Sequence, residues 1–267
     1  MHLFSDIPTD LEDVDILCLQ ETWLMNIPAA DGFEIAFNPA IKGTKGCPMS
    51  GLLTLVKLES GIRILTAKNI SPYIQVVKIK LPIQQPKIEN LLILLNVYWQ
   101  HAVMQLDKFM ELISETICDV KENEKEANIL ICGDLNINCL PDKIRNDRAH
   151  GKNTSDPVAT MWLHEMKACN IKMLNGETPG DIPAHFTWQR NQQQSTIDYM
   201  FATESMKQEV ACLNITEMKS SDHCMLEMYL NVAQPKKKAA NSCKNLVVVP
   251  GRNRLRLNQT ISILHLC

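Results

Sequence analysis

Asn128-Ile129-Leu130-Ile131-Cys132-Gly133-Asp134-Leu135-Asn136 decides how the rest of the chain is read. Four apolar residues in succession, Ile129 to Cys132, describe a strand buried on both faces, because a strand with one wet face alternates. The run stops at Gly133. Asp134 and Asn136 follow with one residue between them, and in extended backbone residues i and i+2 share a face. A carboxylate and an amide therefore leave the end of the sheet together, where the carboxylate can take a proton from water and the amide can aim that water. An ordinary Asp/Asn turn after a strand accounts for the same residues. The remaining motifs separate the two readings.

Two other stretches repeat the pattern. Ile16-Leu17-Cys18-Leu19 is a second doubly buried strand, with Gln20 and Glu21 at its end. Leu91-Leu92-Ile93-Leu94-Leu95 is a third and delivers Asn96, Tyr98 and Trp99. A carboxylate such as Glu21 at the mouth of a buried strand needs solvent, a partner or a metal. Further strands are expected at 33–37, 51–56, 62–66, 73–81 and 224–230, with loops at 38–50, 82–90 and 139–155. Between the third strand and the first-quoted one, Leu106, Phe109, Met110, Ile113, Ile117 and Val120 fall at helical spacing. That predicts an amphipathic helix from Met104 to about Glu122 covering a sheet. Asp156-Pro157 reads as an N-cap and first helical position, opening a helix to about Cys169. Phe186-Thr187-Trp188 and Ser195–Phe201 read as a hairpin pair. Asp198, among apolar neighbours in the second of these, needs a partner, and Ser221-Asp222-His223 at a strand entrance supplies a candidate.

The chain of 267 residues can bury a sizeable core, and no apolar run approaches the ~18 residues that span a bilayer. Its start, Met1-His2-Leu3-Phe4-Ser5-Asp6, lacks the marks of a secretory signal. Ten cysteines stand singly without a Cys-x-x-Cys pair, which argues against zinc and for reduced thiols, hence a nuclear or cytoplasmic location. Seven Lys/Arg and no acid lie from Pro235 onward, so the 27 bases and 30 acids leave a net charge of −10 over residues 1–234. An acidic body with a basic tail fits a cation-holding site better than a surface that grips phosphates along its length. Residues 1–233 are expected to form one domain, and 234–267 a flexible basic tail.

Taken together, Leu19-Gln20-Glu21-Thr22-Trp23, Asn96-Val97-Tyr98, Gly133-Asp134-Leu135-Asn136, Phe186-Thr187-Trp188, Ser195-Thr196-Ile197-Asp198-Tyr199 and Ser221-Asp222-His223 resemble the endonuclease/exonuclease/phosphatase superfamily. They occur in that family's order over about residues 14–230. The stretch Leu174–Asp181 leading into Phe186-Thr187-Trp188 looks most like endonuclease domains of non-long-terminal-repeat retrotransposons, relatives of apurinic endonucleases. The resemblance implies an α+β, four-layer α/β-sandwich: two mostly antiparallel sheets flanked by helices. It also implies a Mg²⁺-dependent endonuclease, with Mn²⁺ as a substitute, that nicks DNA to leave a 3′-hydroxyl. By the same resemblance Glu21 and Asp222 belong to the metal, Asp134 activates the water and Asn136 orients it. His223, held by Asp198, and Tyr98 meet the phosphate, while Thr187, Trp188 and Ser221 line the groove. Family members open with a central strand ending in a metal-binding Asn. The residues before Val14 hold no such strand, so the first central strand is expected to be missing, with an open sheet edge. That makes the chain a fragment of a longer reading frame, one that could include a reverse transcriptase, or a decayed copy. A phosphatase acting on a non-DNA substrate and a non-catalytic interaction module are the alternative readings.

Overall fold

Ile129–Cys132 lies in a strand with every residue buried, as its unbroken apolar run predicts. The computed structural model describes residues 14–43, 46–82, 90–125, 127–140, 156–218, 221–230 and the strand Gln259–His265. In chain order the elements begin with β1 (Ile16–Gln20), β2 (Phe33–Asn38), β3 (Ile41–Lys42), β4 (Pro48–Met49) and β5 (Leu52–Lys57). β6 (Arg63–Ser71), β7 (Ile74–Lys80) and β8 (Leu91–Tyr98) lead to helix α1 (Leu106–Asn123) and β9 (Asn128–Asp134). Then come α2 (Pro157–Ala168), β10 (Ile171–Met173), β11 (Trp188–Arg190), β12 (Gln193–Ser195) and β13 (Asp198–Thr203). The last are α3 (Glu204–Gln208), β14 (Val210–Glu217), β15 (Cys224–Leu230) and β16 (Gln259–His265).

Two six-stranded sheets result, ordered β14-β15-β16-β1-β5-β2 and β10-β13-β9-β8-β7-β6. All their neighbours are antiparallel except β1/β16 and β8/β9. The parallel β8/β9 pair needs a crossover, and α1 supplies it. The sheets face each other across a cluster that includes Ile16, Cys18, Val77, Leu94, Leu130, Met200 and Leu226. α1 and α2 cover the outer face of the second sheet, where Trp162 stacks on Phe109 and meets Phe201 edge to face, with ring centres 5.9 and 5.8 Å apart. Asp156 caps α2 by accepting from the Val158 N–H at 3.0 Å, with Pro157 in the first turn. The outer face of the first sheet carries its own apolar cluster around Leu17, Leu19, Leu53 and Leu55.

One expectation fails at the centre of the first sheet. The edge beside β1 is not open, because β16 lies there, parallel to β1 (Ile16 opposite Ile261, Gln20 opposite His265) and antiparallel to β15 (Leu230 opposite Gln259). Segment 259–265 is therefore a strand of the body and not part of a flexible tail. The reason is unsatisfied backbone: β1 is buried throughout and cannot leave one row of N–H and C=O groups unpaired. Gln259-Thr260-Ile261-Ser262-Ile263 alternates and is rich in β-branched residues, which suits it to the slot. The seven tail cations lie in 231–258, outside the described residues.

The site depends on Gly133. Its φ is +145°, and a Cβ there would stand 1.8 Å from the Val97 carbonyl oxygen on β8. Only a residue without a side chain allows β8 and β9 to stay paired up to Asp134. Gly133→Ala is expected to cost about 4 kcal/mol or more, at the extreme of single substitutions. Urea unfolding measures this, and a loss below about 1 kcal/mol would mean the strands do not approach so closely.

Candidate active site

Three strands of the second sheet end level with one another. Asp134 of β9 is opposite Tyr98 of β8 on one side and Asp198 of β13 on the other. Asp134 and Asp198 are almost completely buried, as is His223. Adjacent buried carboxylates need hydrogen bonds or a cation to stay ionised, and the loops after the strands supply the first. Asn136, in the left-handed region at φ +50°, donates to Asp134 through its backbone N–H (2.8 Å) and its side-chain amide (3.1 Å). The same amide donates to the Trp99 carbonyl at 3.0 Å. Asn136 thus orients the carboxylate itself.

His223 Nδ1 donates to both carboxylate oxygens of Asp198, at 3.1 and 3.0 Å. A carboxylate only accepts, so Nδ1 carries a proton in this pair. The pairing joins the two sheets: β15 follows His223, and Cys224 N–H donates to the Thr187 carbonyl at 2.6 Å. Ser221 Oγ accepts from the His223 N–H at 3.0 Å, fixing the turn that presents the imidazole. Thr187 does not line a groove. It is fully buried, and its Oγ1 accepts from the Ile197 and Asp198 N–H groups at 3.0 Å each, so it sets the start of β13. Asn175, followed by Gly176 as in a common turn dipeptide, does similar work: Oδ1 accepts from Met200 N–H at 2.9 Å. Only its burial in the fold distinguishes it from an ordinary Asn-Gly turn.

Trp188 is half-buried and donates from its indole to Asp222 at 3.1 Å, and Arg190 stands 4.0 Å from the same carboxylate. At the other side of the site Tyr98 donates its hydroxyl to Glu21, where β1 ends. Gln20 and Asn96, one step deeper, join across the core at 2.6 Å, tying the mouth of the first sheet to that of the second.

The donor set suits a hard cation. Asp134, Asp198 and His223 each offer a ligand atom, all within 4.8 Å of one another. Asp198 is already engaged by His223, however, and an ion among the three would compete with that bond. Glu21 is the alternative anchor, and on either side of it Gln20 Oε1 and Thr22 Oγ1 are buried oxygens without a hydrogen-bond partner. Carboxylate and other oxygen donors suit hard divalent ions and not soft ones.

Burial and the Glu21 and Asp134 carboxylates push the Tyr98 phenol far above its ordinary value, so it is a donor at every working pH. Burial likewise raises the thiols of Cys132 and Cys139, and lifts Cys224 to about 11. Each group keeps its proton longer folded than unfolded. The stability it contributes is complete below the unfolded values, about 8.5 for Cys and 10 for Tyr, and is lost as pH rises toward the folded ones. Tm is therefore expected to fall steadily from about pH 8.5 upward, less steeply in Tyr98→Phe. A Tm unchanged between pH 8 and 11 would contradict the burial of these groups.

No helix among the described residues is long and apolar enough to cross a membrane. Residues 3–223 match the profile of the Endonuclease/Exonuclease/phosphatase family. The chain is 22% identical over 237 residues to an exodeoxyribonuclease of Bacillus subtilis (strain 168), covering 83% of this chain and 90% of that one. Its fold is similar to the AP endonuclease LMAP from Leishmania major, with a TM-score of 0.62, 18% identity and coverage of 82% and 79% of the two chains. It is also similar to the endonuclease domain of TRAS1, a telomere-specific non-LTR retrotransposon, with a TM-score of 0.54, 17% identity and coverage of 82% and 87%.

Proposed function

We propose, from the premise that this chain belongs to the Endonuclease/Exonuclease/phosphatase family, that it is a Mg²⁺-dependent phosphodiesterase of the retroelement endonuclease type. Its substrate is DNA, which it nicks to leave a 3′-hydroxyl. The observation that carries the reading is the row Tyr98–Asp134–Asp198, with Glu21 against its first member and His223 against its last. The similar proteins, an exodeoxyribonuclease, an AP endonuclease and a retrotransposon endonuclease domain, favour nucleic acid over other phosphoesters.

In this mechanism Asp134 takes the proton from the attacking water, its lone pairs aimed by Asn136. As the water oxygen bonds to phosphorus and the P–O3′ bond breaks, His223, carrying a proton on Nε2 as well as on Nδ1, donates from Nε2 to a phosphate oxygen, and Asp198 holds the ring and balances its charge. The leaving 3′-oxygen takes its proton from solvent. Tyr98, always protonated, donates to Glu21 or to the phosphate. Glu21 would hold Mg²⁺ or Mn²⁺, and Asp222 would act from the opposite rim. When bound, the ion supplies positive charge against the phosphate and leaving oxygens. A reverse-transcriptase domain in a longer parent reading frame is the partner that would use the 3′-hydroxyl.

The test is nicking of supercoiled plasmid against metal concentration. Nicking is expected only with Mg²⁺ or Mn²⁺, with ends that a polymerase extends directly. Metal-independent nicking sinks the mechanism, and cleavage of phosphomonoesters without nicking transfers the case to a phosphatase.

A further inference from the structure

Trp23 is the one tryptophan that the described fold does not use. Trp162 and Trp99 are 0% and 7% exposed and Trp188 is half-buried with its indole on Asp222, whereas Trp23 is 47% exposed and belongs to none of the apolar clusters. It lies two residues beyond Glu21. Met25 and Ile27, 48% and 62% exposed, stand out of the same loop.

The loop is held in a costly shape. Glu21 and Trp23 both sit in the left-handed region, at φ +49° and +52°, where bulky side chains are rare. The neighbouring chain enforces this: Thr22 N–H donates to the Gly51 carbonyl at 3.1 Å and Trp23 N–H to the Ser50 carbonyl at 3.0 Å. Ala40 N–H in turn donates to the Leu24 carbonyl at 2.7 Å. Gly51 leaves room for this, since a Cβ there would come within 2.6 Å of Thr22 Oγ1. Backbone strain and an exposed indole both lower stability, and together they mark a surface kept for a ligand.

We propose that Trp23 stacks on a nucleobase of the DNA, one left unpaired or displaced next to the nicked phosphodiester, with Met25 and Ile27 as an apolar flank. This rests on the nuclease reading above and adds the substrate feature that is recognised. Position supports a base as the occupant. The Cα atoms of Glu21 and Trp23 are at most about 7 Å apart, and bases along one strand repeat about every 3.4 Å. A base one or two steps from a phosphate at Glu21 therefore falls within reach of the indole. Base–aromatic stacking is tolerant of sequence, so the preference is for a weakly paired step and not for a particular letter.

The experiment measures binding of short duplexes in Ca²⁺, either fully paired or with one mismatch, each carrying 2-aminopurine beside the nicked step. Wild type, Trp23→Ala and Trp23→Phe are compared, with Tm confirming that each is folded. Trp23→Ala is expected to weaken binding of the mismatched duplex about ten-fold and the paired duplex less, with Phe restoring most of the loss. The salt slope stays unchanged, since no phosphate contact is lost. Wild type alters 2-aminopurine fluorescence and Trp23→Ala does not. If wild type binds and nicks DNA but Trp23→Ala matches it, or Phe fails to restore the loss, the stacking proposal falls and the nuclease reading stands. If wild type neither binds nor nicks DNA, both fall.

Discussion

Asp134→Asn is expected to lower plasmid nicking about a thousand-fold while leaving the fold intact. The amide matches the carboxylate in size and can still meet Asn136, but it cannot accept the water's proton. His223→Ala should cost about a hundred-fold to a thousand-fold by a different route, the loss of a donor to charge growing on phosphate. The two losses should also respond differently to conditions. The His223 variant keeps its base, so stronger metal loading or a better leaving group recovers part of its rate, and the Asp134 variant gains little. Single-turnover nicking across a metal titration distinguishes them. Activity that survives both substitutions would leave the buried row at the sheet end without a catalytic role.

Deleting 259–267 is expected to abolish cooperative folding. β16 forms ladders with β1 on one side and β15 on the other, and without it the first sheet separates into β14–β15 and β1–β5–β2. Two buried strand edges would then lack partners, each unpaired group costing about 1–3 kcal/mol. That exceeds the roughly 5–15 kcal/mol by which a typical domain is stable. Ile263→Pro tests the same point with one residue, because proline cannot donate to the ladder in which 263 faces both Cys18 and Leu226. Loss of the thermal transition in both variants is the expected result. A deletion variant that melts cooperatively near the wild-type Tm would show that the sheet closes without β16. For the same reason a deletion from 235 onward does not test the tail's charge, and substitution of its lysines and arginines does.

Most of the second sheet was legible because its strands carry their own explanation. Ile129–Cys132 and Leu91–Leu95 are apolar without alternation, and a helix-period segment lies between them, which together specify a parallel pair with a crossover. Asp134, Asp198 and His223 were legible as polar residues at the ends of such runs, where burial demands partners. Two kinds of feature were not legible. Thr187 and Asn175 act through hydrogen bonds to backbone 10 or more residues away, and nothing local distinguishes them from groove or turn residues. Segment 259–265 carries a strand pattern of only seven residues beyond a basic, aperiodic stretch, and its role is set by a vacancy elsewhere in the sheet. What identifies it is the need of β1, some 240 residues earlier, for a second neighbour.

That distance in sequence has a consequence for how the molecule is made. Ile16 leaves the ribosome long before Ile261, and at about 5–20 residues per second the first strand waits of the order of tens of seconds for its neighbour. The second sheet, complete once Thr203 has been translated, can form early and give β1 a surface to lie on. The final step of folding is then an insertion, in which the last strand enters between two already placed. The nascent chain carries a hydrophobic edge open to other chains throughout that interval, so its yield in a cell depends on translation speed and on chaperones that shield strand edges.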